Sequence, residues 1–105
     1  MMKNLITFLC ILLMFNTLSF GQKKIVFMPQ WTPQAQFAGY YVAFEKGFYK
    51  EAGIDVEIRH IPLNSTESVS GYLLSGDVQI VGQQLIQSII SRSDGNDIVN
   101  VMQMT

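Results

Sequence analysis

The chain is poor in the rarer residues that usually carry chemistry. It holds one cysteine, one histidine and one tryptophan in 105 residues, and only 14% of its residues are charged. A single histidine, His60, excludes a histidine-built metal cluster and a serine–histidine–aspartate arrangement drawn from this chain. It reads as a polar residue near a strand end. A single cysteine, Cys10, excludes an internal disulfide, so stability has to come from packing. The sparse charge, with a formal net charge of -1, leaves no electrostatic case for nucleic acid. Glu45, Glu51, Asp55, Glu57, Glu67, Asp77, Asp94 and Asp97 are scattered among polar positions, which fits a solvated surface better than a general acid and base pair. Gly39, Gly47, Gly53, Gly71, Gly76 and Gly82 never gather into one phosphate-binding turn. With no repeat, low-complexity tract or linker, one small globular unit is expected, with no catalytic residue, no cofactor and no metal.

What is present begins with a targeting segment. Lys3 lies in a short polar start, Leu5 to Phe15 is apolar, and Asn16, Thr17, Ser19 and Gly21 turn polar and small. That is the plan of a secretory signal peptide, and the apolar run is well short of the roughly 20 residues that span a bilayer. Ser19 and Gly21 are the small residues that a signal peptidase needs in its narrow subsites. Cleavage near Gly21 is expected, with export to the periplasm and loss of Cys10. The competing reading, an uncleaved amino-terminal anchor, has to explain the interruptions after Phe15. Residues 1–21 are thus read as signal peptide and 22–105 as one α/β unit.

That unit alternates strand and helix. Ile25 to Met28 is a continuous apolar run, as in a strand covered on both faces by helices, and Pro29 ends it. Gln30 to Gln36 is an uncharged loop with Trp31, Pro33 and three glutamines. From about Ala35, residues Phe37, Ala38, Tyr41, Val42 and Phe44 fall near the spacing of one buried helix face, with Glu45 and Lys46 outside. Gly39 should let this helix approach the sheet, and Gly47 should end it. Of the aromatic stripe, Tyr40 is the member expected to face out.

Ile54 to Ile58 alternates like an edge strand. Asn64 with Glu67 three residues later resembles a helix start, Val69, Tyr72 and Leu73 give that helix a buried face, and Gly76 stops it. Val78 to Val81 reads as a third strand, and Gln83 and Gln84 open a helix running through Ile90. Ile98, Val99, Val101 and Met102 look like a further strand in progress. Without residues 1–21 the chain is short for a complete ligand-binding α/β domain of ~100 to 200 residues, so a fragment is expected.

Strand, crossover helix, strand is the grammar of an open parallel sheet, which places ligands at the carboxyl ends of its strands where crossovers leave to opposite faces. If the first strand is flanked by the second and third, that crevice lies between the ends of the first and third. Gln30, Trp31, Gln34 and Gln36 stand on one side, Gln83 and Gln84 on the other, with Tyr40 on the following helix. Trp31 offers a stacking surface and the amides offer neutral hydrogen bonds. The competing reading is that Trp31 caps the core and the glutamines are ordinary loop residues.

The block WTPQAQFAGYYVAFEKGFYKEAGIDVEI at 31–58, followed by a helix, by LLSGDVQIVG at 73–82 and by a further strand, resembles the solute-binding proteins of ABC importers. The resemblance is to the type II branch, which binds thiamine pyrimidine precursors, nitrate, taurine and aliphatic sulfonates. It implies two α/β lobes with a solute clamped between them, this chain supplying the first part of lobe one and meeting an ABC permease at the membrane. Two departures matter. The pyrimidine binders and the related pyrimidine synthase have Asn where this chain has Gln34, and His where it has Phe37. The histidine serves the synthase chemistry, so enzyme activity is not expected. The neutral aromatic loop leans toward a heteroaromatic, pyrimidine-like solute over nitrate or a sulfonate. An extracytoplasmic sensor module of a longer signalling protein is the alternative.

Overall fold

A computed structural model describes Met1 and residues 21–104; the expected signal peptide otherwise lies outside the described residues. The folded part is built on a parallel sheet of three strands, β1 (Lys24–Met28), β2 (Asp55–Ile58) and β3 (Ile80–Val81), in the order β2-β1-β3. Both neighbours of β1 run parallel to it. Phe27 lies opposite Ile58 on one side and Ile80 on the other. The helices are α1 (Ala38–Glu45), entered through a 3-10 turn at Ala35–Phe37, then α2 (Phe48–Glu51), α3 (Val69–Ser75) and α4 (Leu85–Ser93).

Successive side chains of a strand point to opposite faces, and β1 divides its residues accordingly. Val26 and Met28 turn to one face, where they form the core with Val78 beneath Ile61, Val69, Tyr72, Leu73 and Val81. Met28 is fully buried and Pro29 beside it is too. Phe27 turns to the other face and meets the edge of the Tyr40 ring on α1, with ring centroids 4.7 Å apart. The two crossovers therefore cover opposite faces, α1 over Phe27 and α3 over Val26 and Met28, as a sheet whose first strand lies in the middle requires.

Several expectations are corrected. The face expected to be buried on α1 is only partly covered, with Val42 51% and Phe44 47% exposed and no residue of the helix fully buried. Gly39 makes no close approach, since a side chain there would meet nothing within 4 Å. Tyr40 does not face out: its ring is against Phe27. Gly47 does end α1, in the left-handed conformation at φ 77° that costs a glycine little.

The cap of α3 is Ser68, not Asn64. Its hydroxyl accepts from the amide of Gly71 at 3.0 Å, and Glu67 accepts from the amide of Ser68 at 3.0 Å. The third strand is shorter than Val78 to Val81, because the Val78 amide is taken by the Tyr72 carbonyl at the end of α3. Its register is still set early, by Gln79 donating from its amide to Val26. The strand expected over Ile98 to Met102 does not form. It has no strand to pair with among the described residues; Ile98 is buried, while Val99, Val101 and Met102 are exposed.

Candidate functional site

The carboxyl ends of β1 and β3 lie side by side. The Gly82 amide donates to the Met28 carbonyl at 2.9 Å, and a side chain added at Gly82 would stand 3.6 Å from the Gln30 amide nitrogen. The exit of β3, which carries Gln83 and Gln84, thus runs beside Gln30 at the start of the loop leaving β1, while the polar contact of Trp31 is with His60 on the β2 side.

Within this border the predicted residues divide by how their polar groups are used. Gln83 is committed on both sides: its amide oxygen accepts from Ser70 at 2.7 Å and its nitrogen donates to Ser88 at 2.7 Å. It ties α3 to α4. Gln84 is exposed and precedes α4 as its cap position without a side-chain bond to the helix. Gln34 and Gln36 are exposed and bonded to each other, Gln36 donating at 3.0 Å. Gln30 is half-buried. Tyr40 packs against Phe27 and Phe37; burial first, and the neighbouring Tyr49 second, push its phenol above the usual range. Its hydroxyl therefore stays a donor at neutral pH, and it is aimed at the Met104 sulfur.

Trp31 is the most unusual residue of the group. It is 48% exposed, and its backbone sits at φ 62°, in the left-handed region that a bulky side chain normally avoids. Holding a non-glycine residue there costs on the order of 1–3 kcal/mol, which surrounding contacts must offset.

Those contacts come from a residue that sequence reasoning set aside. The Nδ1 of His60 lies 3.4 Å from the Trp31 carbonyl oxygen, and its Nε2 lies 2.9 Å from the Tyr41 hydroxyl. His60 also packs near Phe37, with ring centroids 6.5 Å apart. The parallel register was the available signal. Phe27 opposite Ile58 brings the residues leaving β2 beside those leaving β1. The same region forms an open cleft of about 320 Å³ lined by Pro33, Tyr41, Phe44, Glu45, Ile58 and His60. No group of three or more side chains able to hold a metal ion occurs among the described residues.

The sequence model of the family described as NMT1/THI5 like matches residues 34–105. The chain belongs to the NMT1/THI5-like family. Membership brings a general solute-binding role and places the chain among proteins that mainly bind small molecules, one named member being a pyrimidine synthase. Gln34, Gln36, Tyr40, Gln83 and Gln84 fall inside the matched range, and Gln30 and Trp31 precede it. No curated protein and no solved structure matches the chain. Among the described residues no helix is long and apolar enough to cross a membrane.

Proposed function

We propose that this NMT1/THI5-like chain is an exported solute-binding component of an ABC importer that takes a small, neutral, heteroaromatic solute of the pyrimidine type. The observation that carries the choice of solute is the half-exposed Trp31, set in a loop with no charged residue between Lys24 and Glu45. A flat neutral ring gains stacking on the indole and hydrogen bonds from Gln30, Gln34, Gln36 and Gln84. Nitrate or a sulfonate would lack a cationic partner there. Gln83, bonded on both sides, positions the two helices instead of reading the solute.

The unit is further proposed to be the first part of lobe one of a two-lobe clamp. Support comes from surfaces left open: β3 has one unpaired edge among the described residues, and Leu85, Ile86, Ile89 and Ile90 along α4 are about half-exposed. Phe37 in place of histidine counts against synthase activity.

The test is a fluorescence titration of the full chain, whose one tryptophan is Trp31. Saturable quenching by an aminopyrimidine, with none by nitrate or taurine, is the expected result. Saturable quenching by either anion and not by the aminopyrimidine would overturn the choice of solute. Export is tested separately by the intact mass of secreted protein, which should lack residues 1–21.

A further inference from the structure

We infer that His60 is a positioning residue that holds Trp31 in the conformation in which it meets the solute. The inference rests on the reading that Trp31 contacts the solute, but the restraint itself can be measured without one.

For the neutral imidazole the hydrogen-bonding chemistry allows one assignment. A backbone carbonyl only accepts, so the bond to Trp31 requires the proton on Nδ1 of His60. In the neutral ring the other nitrogen is then an acceptor, so the Tyr41 hydroxyl must donate to Nε2. The chain runs Tyr41 to His60 to Trp31, each donor serving the next acceptor.

Its two ends differ in rigidity. Tyr41 lies within α1, and His60 directly follows Arg59, whose amide donates to the Phe27 carbonyl of β1 at 2.9 Å. Both are fixed to the sheet and its covering helix. Trp31 lies in the loop, at a backbone angle its own side chain disfavours. A donor fixed to the frame and aimed at the Trp31 carbonyl opposes relaxation of that peptide. The tilted ring contacts of His60 with Tyr41 and Phe37, at centroid distances of 5.9 and 6.5 Å, keep the imidazole plane from turning away.

The test uses the single tryptophan of the full chain, with circular dichroism confirming that each variant is folded. An asparagine amide can stand where Nδ1 stands, and a glutamine amide reaches further, toward the position of Nε2. His60→Asn is therefore expected to keep the emission maximum and anisotropy of Trp31, while His60→Gln lowers the anisotropy and shifts emission to the red. His60→Ala should behave as the glutamine variant does. If His60→Ala does not fold, the asparagine and glutamine pair still decides.

Folded Asn and Gln variants with the same Trp31 signal would overturn the inference. Affinity for an aminopyrimidine is expected to fall about tenfold in His60→Gln, equal to about 1.4 kcal/mol, and to be largely kept in His60→Asn. A His60-dependent anisotropy in a chain that no aminopyrimidine quenches would retain the positioning role and reject the solute. Quenching by an aminopyrimidine in variants whose anisotropy never changes would do the reverse.

Discussion

The two faces of β1 are made by alternating residues of one short strand, yet they are closed to different degrees. On one face Val26 and Met28 join Val78 in a buried aliphatic core under α3. On the other Phe27 meets Tyr40, and the helix leaves Val42 half-exposed and Phe44 half-exposed at the wall of an open cleft. The difference is one of chemistry as well as coverage. Aliphatic chains with a single tyrosine, Tyr72, fill the closed face, whereas Phe27, Tyr40, Tyr41, Phe44 and His60 make the open one mostly aromatic. Tyr41 and His60 can therefore hydrogen-bond at the margin of the loop bearing Trp31 without a buried polar group being left unpaired. The closed face supplies stability, and the open one supplies the frame on which the candidate site is hung.

Truncations on the two faces should separate these roles. Met28→Ala removes a fully buried side chain and should cost about 2–5 kcal/mol of unfolding free energy, whereas Phe44→Ala should cost about 1 kcal/mol or less. Paired urea denaturation curves check this, and equal losses would mean that the open face is as firmly packed as the closed one.

Trp31→Ala addresses the loop. It should weaken binding of an aminopyrimidine by about 1–3 kcal/mol, the usual loss when a base gives up stacking on an aromatic ring, with a smaller change in stability. Calorimetric titration reads it.

Ser68→Ala deletes the cap of α3 on the closed face and should cost ~1 kcal/mol in thermal or urea unfolding, while Asn64→Ala should do almost nothing. The reverse order would restore Asn64 as the helix start.

The smallest effect belongs to Glu57 on β2. Hydrogen bonds from Lys24 and Arg59 hold its carboxyl below the usual range. A carboxyl depressed in the folded state stabilises above its unfolded pKa, and that contribution is lost as pH falls through the folded value. The stability gap between the protein and Glu57→Gln should therefore be slight at neutral pH and close on acidification. A gap that widens in acid would contradict the assignment.

How legible these features were depended on whether their cause was local. The strand at Ile25 to Met28, the edge character of Ile54 to Ile58 and the stops at Gly47 and Gly76 were readable, because apolar runs, alternation and glycine freedom act within a few residues. The placement of β1 between its neighbours stood in the sequence reading only as a condition, and the pairing of β1 with both β2 and β3 supplies it. What was not legible depended on partners far along the chain. Asn64 and Ser68 are both competent caps, and only the hydrogen bond to Gly71 decides between them. Val78 has a strand residue's chemistry but spends its amide on Tyr72. Tyr40 and Phe44 share one aromatic stripe, and only the position of Phe27 determines which packs. His60 looked like a solitary polar residue because its partners, Trp31 and Tyr41, lie 29 and 19 positions away.

The most direct test of the account is a nitrogen–proton correlation spectrum of the full chain recorded with and without an aminopyrimidine. The single tryptophan gives one indole signal to follow beside the backbone amides. The account predicts saturable shifts of that signal and of the Gln30, Trp31, Gly82 and Gln84 amides, with Phe44 and Glu45 unmoved. Shifts confined to the cleft around Phe44, Glu45 and Ile58, or a Trp31 indole that does not respond at saturating solute, would contradict it.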